Sequence, residues 1–121
     1  MEQLPNDIIN IIKDFILFRP KTKAELQKAV NLWYKYYYEI PRSSKSITSN
    51  NEVLKKSKRY RNKVLNRYGY ISTWDTSLIT DMSKLFYGKY FFNDDINKWD
   101  VSSVTDMSFM FFSVESFNQP L

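Results

Sequence analysis

Apolar side chains in the first 70 residues recur every three to four positions, which is the spacing of an amphipathic helix. The pattern predicts a first helix up to Arg19, because the residue before a proline is pushed out of helical conformation. A capping box of Thr22 and Glu25 predicts a second helix over about residues 23–38, closed by Pro41. The side chains expected on its buried face are Leu26, Ala29, Val30, Trp33 and Tyr37.

A third helix is predicted over about residues 52–68, with Gly69 as its C-terminal cap. Most of its surface is basic, and the side chains that form this basic face are Lys55, Lys56, Lys58, Arg59, Arg61 and Lys63. Such a face, interleaved with tyrosines, suits binding to phosphates and stacking on bases. A solvated face, or one that pairs with acidic residues elsewhere in the chain, is the favoured alternative because no nucleic-acid-binding motif accompanies it.

The pattern changes at about residue 70, where the chain begins to repeat itself. Residues 71–95 and 96–120 align without a gap and are identical at 11 of 25 positions. This period is typical of leucine-rich repeats, whose units stack because one unit cannot bury its large apolar residues alone. Equivalent residues are therefore predicted to stack as a repeat core, formed by Trp74, Met82, Phe86 and Phe92 over Trp99, Met107, Phe111 and Phe117.

The two patterns together predict an α+β fold, in which about three helices precede a short leucine-rich-repeat-type solenoid of two 25-residue coils. One short parallel strand per coil is expected, around residues 79–82 and 104–107, followed by a helical or 3₁₀ turn. The predicted domains are residues 1–69, helical and basic, and residues 70–121, the repeats. Leu121 stands where a third repeat would begin, so the array is expected to be truncated there with an uncapped end.

Composition narrows the possible chemistry. The chain has no cysteine and no histidine, which excludes disulfides, thiolate or imidazole metal sites and serine–histidine triads. We therefore expect no enzyme and no cofactor. Charge is uneven: residues 1–70 hold 15 Lys/Arg against 6 Asp/Glu, a balance of +9, whereas residues 71–121 hold 3 against 7, a balance of −4. A basic head is thus joined to an acidic repeat section.

The N-terminus lacks the marks of export. Glu2 stands where a signal peptide carries basic residues, and no apolar run reaches the length of about 18 residues that a membrane helix needs. These features predict an intracellular protein, in a host cytoplasm or a virion, that is neither secreted nor bound to a membrane.

Stacked aspartates are a second candidate for site chemistry. The 25-residue register places Asp75 over Asp100 and Asp81 over Asp106, close enough for a shared cation. The favoured interpretation is that each carboxylate accepts a hydrogen bond from nearby backbone as an Asx-turn. A cluster of large apolar residues at 109–112 is likewise assigned to the core rather than to a partner-binding patch.

The string WDVSSVTDMSFMFFSVESFNQPL, with its weaker copy WDTSLITDMSKLFYGKYFFNDDI, resembles the BspA-like repeat of mycoplasma surface lipoproteins and of giant-virus proteins. The bacterial members carry lipoprotein signals and cysteine anchors. Because this chain has neither, the resemblance implies the intracellular, giant-virus branch rather than a cell-surface adhesin.

The segment LPNDIINIIKDFI is similar to the opening helix of an F-box, a module that docks on the cullin ligase adaptor. The resemblance extends at most over residues 3–40. The residues it implies for partner binding are Leu4, Pro5, Ile8, Ile12 and Phe15. The alternative is that this helix packs on the second helix and caps the first repeat, since a repeat array needs a terminal cap.

The function expected from these features is non-catalytic protein–protein interaction through the repeat surface, with an F-box-like ligase adaptor of a giant virus as its finer form. The alternative is a structural or assembly component of a virion that self-associates through the uncapped repeat end. Nucleic-acid binding is the least favoured of the binding functions, and the sequence does not identify the protein partner.

Overall fold

The computed structural model describes residues 3–9, 11, 17–43 and 51–119. Its regular secondary structure is helical. Helix α1 spans Lys23–Tyr34 and continues through a π-helical segment, Lys35–Glu39, into the short helix α2, Ile40–Ser43. Helix α3 spans Asn51–Tyr68, and a 3₁₀ turn at Ile71–Thr73 leads into the repeats.

Helix α1 begins where the capping box predicts. The Glu25 backbone N–H donates to Thr22 Oγ1 at 3.2 Å, and the Glu25 carboxylate accepts from the backbone N–H of Lys21 at 3.0 Å. These bonds satisfy donors that a helix start leaves unpaired. The buried residues of α1 are Leu26, Ala29, Val30, Trp33 and Tyr34.

The prediction that Pro41 closes this helix is wrong. The backbone N–H of Ile40 reaches back five residues to the carbonyl of Lys35, so the chain passes through a π-helical turn and enters α2. Pro41 is the second residue of α2. Proline is tolerated there because its ring fixes φ near the helical value, and the π-helical turn changes the hydrogen-bond pattern just before it.

Helix α3 matches the predicted third helix closely, and Gly69 ends it with a φ of 72°. The Gly69 N–H donates to the carbonyl of Leu65 at 2.7 Å, which is the bond expected of a left-handed C-terminal cap. Val64 and Tyr68 of α3 are buried in the same apolar cluster as α1 and the repeat residues. One core therefore runs from the helices into the repeats.

The predicted first helix is described only in part. Residues 6–9 and 11 are helical, whereas the predicted binding residues Ile12 and Phe15 lie outside the described residues. Leu4, Ile8 and Ile11 are exposed, at 55%, 40% and 53% respectively.

The two repeat units lie one on the other in the predicted register. Trp74 stacks on Trp99 with ring centroids 6.2 Å apart, Phe86 on Phe111 at 5.5 Å, and Phe92 on Phe117 at 5.8 Å. Backbone N–H groups of the first unit donate to carbonyls of the second: Met82 to Asp106, Lys84 to Ser108, Phe86 to Met110 and Gly88 to Phe112, at 2.8 to 3.0 Å. The predicted stacking of these aromatic equivalents is confirmed.

The α+β class and the leucine-rich-repeat-type solenoid are wrong. Across the described ranges there is no strand, and the predicted strands are reduced to one isolated parallel bridge between Asp81 and Asp106. The chain bends too soon to form a strand: Asp81 accepts from the Ser83 N–H at 2.8 Å, and Lys84 is left-handed with a φ of 58°. The predicted helical or 3₁₀ turns after the strands are hydrogen-bonded turns instead.

The backbone of the units repeats even where the residue type does not. Gly88 has a φ of 73° and its equivalent, Ser113, a φ of 63°. We expect Gly88→Ala to destabilise the protein by about 1 kcal/mol, because an L-residue is strained there while its Cβ would meet no atom within 4 Å. Ser113→Gly should be neutral or stabilise by about 0.5 kcal/mol. Urea unfolding of both variants tests this; an unchanged midpoint for Gly88→Ala would contradict it.

Candidate interaction surface of the repeat units

Helix α1 caps the outer side of the first unit by standing in for a preceding unit. Between the units, the Asn118 N–H donates to Asn93 Oδ1 at 2.8 Å. At the equivalent place in the first unit, the Asn93 N–H donates to the Tyr38 hydroxyl at 3.1 Å. The Phe91 N–H likewise donates to the Tyr34 hydroxyl at 3.3 Å. Side chains of the helical segment therefore supply bonds that a neighbouring unit would supply.

The carboxylate of Asp94 fixes this cap in position. Its Oδ2 accepts from Trp33 Nε1 at 2.8 Å and from the Tyr38 hydroxyl at 2.7 Å. Burial raises the pKa of Tyr38 above its ordinary value of 10.0, and the hydrogen bond to Asp94 raises it further. Tyr38 therefore stays a neutral donor at physiological pH. Nothing in the local sequence around Asp94 indicated this role, because both partners lie more than 50 residues away.

The start of α1 makes a second set of contacts with the first unit. Lys23 Nζ donates to Ser83 Oγ at 2.8 Å and lies 3.5 Å from Asp81 Oδ1. Gln27 Nε2 donates to the backbone carbonyl of Leu85 at 3.0 Å. Hydrogen bonds from Ser83 lower the pKa of Asp81, and the nearby Lys23 adds to that effect.

The stacked aspartates have the local role that was favoured. The carboxylates of Asp75, Asp81, Asp100 and Asp106 each accept from the backbone N–H two residues on, at 2.8 to 3.0 Å. The hydrogen bond from the Ser102 hydroxyl, at 2.6 Å, and then that from the Ser102 backbone N–H lower the pKa of Asp100 from its ordinary value of 3.8. The backbone N–H of Ser108 does the same for the pKa of Asp106. The Asx-turn interpretation is confirmed. No group of His, Cys, Asp or Glu suited to a metal ion occurs in the part of the chain that is described.

The outer side of the second unit is an apolar surface, which we call the open face and define by Val101, Met107 and the recess beside them. Met107 is 44% exposed, although its equivalent Met82 is fully buried under the second unit. Val101 is 41% exposed, and its equivalent Thr76 is fully buried. Met107 was assigned to the repeat core, but no described residue covers it.

The recess of the open face has a volume of about 220 Å³. Its lining is mostly apolar: Ile96, Asn97, Trp99, Val101, Met107, Met110 and Phe111. Pockets lined in this way bind apolar groups, because filling them removes apolar surface from water. The recess can therefore accept an apolar side chain from outside the described chain.

A second exposed cluster, the lateral aromatic patch, runs along the side of both units and consists of Tyr87, Phe109 and Phe112. Tyr87 stacks on Phe112 with centroids 5.3 Å apart, and Phe109 meets Phe112 edge-on at 5.9 Å. Phe109 and Phe112 are 59% and 51% exposed. The core assignment of residues 109–112 is thus right for the buried Met110 and wrong for these two phenylalanines.

The other predicted core residues lie inside. Trp74, Met82, Phe86, Phe92 and Trp99 are buried, and Phe111 and Phe117 are half-buried against the same cluster. The Trp74 and Trp99 indole N–H groups donate to the carbonyls of Gly69 and Ile71, at 3.0 and 2.8 Å. These bonds satisfy the only polar atom of each ring.

The basic face of α3 is open to solvent. Lys55, Lys56, Lys58, Arg59 and Lys63 are exposed, and Arg61 is half-buried. Within the described ranges, none of these six lies within ion-pair distance of a carboxylate. Instead, Arg61 lies over the ring of Tyr37, 5.6 Å from its centroid, and Lys63 lies 5.2 Å from that of Tyr60. Pairing with the acidic repeats is therefore not seen in the described part.

The predicted partner-binding residues at the N-terminus are also on the surface, since Leu4, Pro5 and Ile8 are all exposed. Ile8 and Ile11 are three positions apart among the helical residues 6–9 and 11, so they lie on one side of that segment, and Leu4 precedes it. A search of the described residues finds no helix long and apolar enough to cross a membrane.

Comparison with known proteins finds one family. The family model described as "Mycoplasma protein of unknown function, DUF285" matches residues 48–121, which covers α3 and both repeat units. No curated protein and no solved structure matches the chain.

Proposed function

This chain belongs to the DUF285 family, which is related to the BspA-like repeat proteins, and we propose that it is a non-catalytic protein–protein interaction module. The observation that carries the proposal is the open face. Met107 is 44% exposed at a position that is fully buried in the first unit. A side chain that is buried in the first unit and that no described residue covers in the second marks a surface that a partner can bury.

The energetics favour binding at this face. Large apolar side chains gain about 1.5–3 kcal/mol each when they are moved from water into a packed contact. The lining of the recess is held in place by the Trp74–Trp99 and Phe86–Phe111 stacks, so a partner meets a preformed surface. On the outer side of the first unit, α1 and the π-helical segment cover the equivalent surface through Gln27, Tyr34 and Tyr38.

The finer form of the proposal is an F-box-like adaptor of a giant virus, acting inside a host cell. The exposure of Leu4, and of Ile8 and Ile11 at helical spacing, favours a docking function for the N-terminal segment. In this form the N-terminal segment binds the ligase adaptor and the open face binds the substrate protein. The two surfaces would then act independently.

The test is an affinity capture from eukaryotic lysate with quantitative mass spectrometry. Four chains are compared: the unaltered protein, Met107→Asp, Ile8→Asp, and Phe112→Asp. We expect Met107→Asp to lose captured proteins by about ten-fold or more, because a charge would be buried in the contact. Phe112→Asp is the matched control, since Phe112 is as exposed as Met107 but lies on the lateral aromatic patch.

Each variant is first checked for folding by circular dichroism and thermal unfolding. Loss of cullin-ligase components with Ile8→Asp alone would support the adaptor form. If the same proteins are captured by all four chains, or if none is enriched over bare resin, the interaction function through these surfaces is wrong.

A further inference from the structure

The open face carries a row of unused backbone donors. In the first unit, the N–H groups of Met82, Lys84, Phe86 and Gly88 all bond to the second unit. The equivalents in the second unit are Met107, Phe109, Phe111 and Ser113. Their N–H groups find no acceptor among residues 3–9, 11, 17–43 and 51–119. The first-unit donors point toward the second unit, so the equivalent donors of the second unit point away from the first unit.

This row of donors repeats the pattern of backbone bonds that joins the first unit to the second. The units are joined by those four N–H bonds and by two in the other direction, from the Thr105 N–H to the Thr80 carbonyl at 2.7 Å and from the Ser116 N–H to the Tyr90 carbonyl at 2.9 Å. The Thr105 carbonyl is the equivalent acceptor on the open face. A chain segment that lay along residues 105–113 in the same parallel sense would find this pattern again, beside the apolar recess.

A second copy of the protein is a poor fit to this pattern. In a head-to-tail pair, the copy would have to offer the outer side of its own first unit, which α1 and the π-helical segment cover through Gln27, Tyr34 and Tyr38. In a two-fold pair, the open faces would meet and set four donors against four donors. Unpaired buried donors cost about 1–3 kcal/mol each, so neither arrangement is favourable.

We propose, on the basis of the interaction function above, that the open face binds a segment of another protein that adopts the turn conformation of residues 105–113, and that it does so by backbone pairing. Carbonyl groups at alternate positions of that segment accept from Met107, Phe109, Phe111 and Ser113. One of its apolar side chains enters the recess beside Met107. In this form of recognition the backbone bonds give affinity and the recess gives selectivity.

The probe is a fluorescent synthetic peptide with the sequence of residues 96–119, because that sequence already presents its carbonyls correctly to the first unit. A scrambled peptide is the control. Binding to the full chain is measured by fluorescence anisotropy, and amide exchange of the ¹⁵N-labelled chain is measured by NMR. We expect saturable binding, with exchange slowed about ten-fold at the four donor amides.

Two protein variants locate the binding. Met107→Gln keeps the length of the side chain and should weaken binding several-fold, and Met107→Asp should weaken it about ten-fold or more. Phe112→Asp should bind as the unaltered chain does. Binding equally well to Met107→Asp would overturn the proposal.

Three further outcomes also decide against it. In the first, the peptide fails to bind while lysate capture still depends on Met107. That result would contradict backbone pairing but would agree with the interaction function. Binding without protection of the four amides would mean apolar contact alone. Sedimentation of the free chain as a dimer, with those amides protected, would make a second copy the occupant.

Discussion

Phe86→Ala should destabilise the protein by about 3–5 kcal/mol, because it empties the centre of the contact between the two units. Phe86 is fully buried and its ring stacks on Phe92 at 4.2 Å and on Phe111 at 5.5 Å. It also meets Trp99, with centroids 5.8 Å apart. The variant therefore leaves a cavity that three rigid rings cannot fill. The free energy of unfolding of a small domain is about 5–15 kcal/mol, so this substitution removes much of it.

The next residue along the chain is the matched control. Tyr87 also stacks on its equivalent, Phe112, but is 49% exposed. Tyr87→Ala loses an aromatic contact without opening a cavity, so we expect a cost of about 1 kcal/mol or less. Both variants are compared by urea unfolding followed by tryptophan fluorescence. Equal losses of stability for the two would show that the stack, rather than the buried core, carries the energy.

The helices could be predicted from the sequence because their signals are local. Thr22 and Glu25 lie within one turn of each other, and Gly69 follows the last periodic residue of α3. The ring stacks could also be predicted, because identical large residues 25 positions apart must share a neighbour if the units stack. In both cases the deciding residues are either close in sequence or related by the repeat.

The lack of strands in the described repeats could not be predicted from periodicity. A period of 25 fits strand-bearing units, but Lys84 and Phe109 adopt left-handed φ values of 58° and 56°, a choice that neither residue type signals. The shared conformation at equivalent positions is imposed by stacking. The register was therefore predictable from sequence, whereas the local backbone was not.

The residues that form the cap could not be named from the sequence for a related reason. The first predicted helix, expected as a cap, lies largely outside the described residues, and α1 and the π-helical segment cover the first unit through Tyr34 and Tyr38. Their hydroxyl groups replace atoms of a preceding unit. That replacement depends on three-dimensional placement, since the bonded residues are 55 to 57 positions apart.

The attachment of the cap depends on Asp94, and Asp94→Ala is expected to cost about 2–4 kcal/mol. One carboxylate oxygen accepts from both Trp33 and Tyr38, so the variant leaves two donors unpaired at a partly buried site. The matched control is Asp95→Ala. Asp95 is exposed and accepts from the Asn97 N–H, so its loss should cost well under 1 kcal/mol.

The alkaline limb of the stability curve gives an independent measure of the same contact. The pKa of Tyr38 is raised above 10.0 by burial and then by its bond to Asp94. A group whose pKa is higher in the folded state contributes stability below its unfolded pKa, and that stability is lost as pH rises above it.

Removing Asp94 lowers the pKa of Tyr38. Stability of the unaltered chain should therefore fall more steeply above pH 10 than that of Asp94→Ala, as measured by urea unfolding at successive pH values. Parallel curves would mean that Tyr38 does not donate to Asp94.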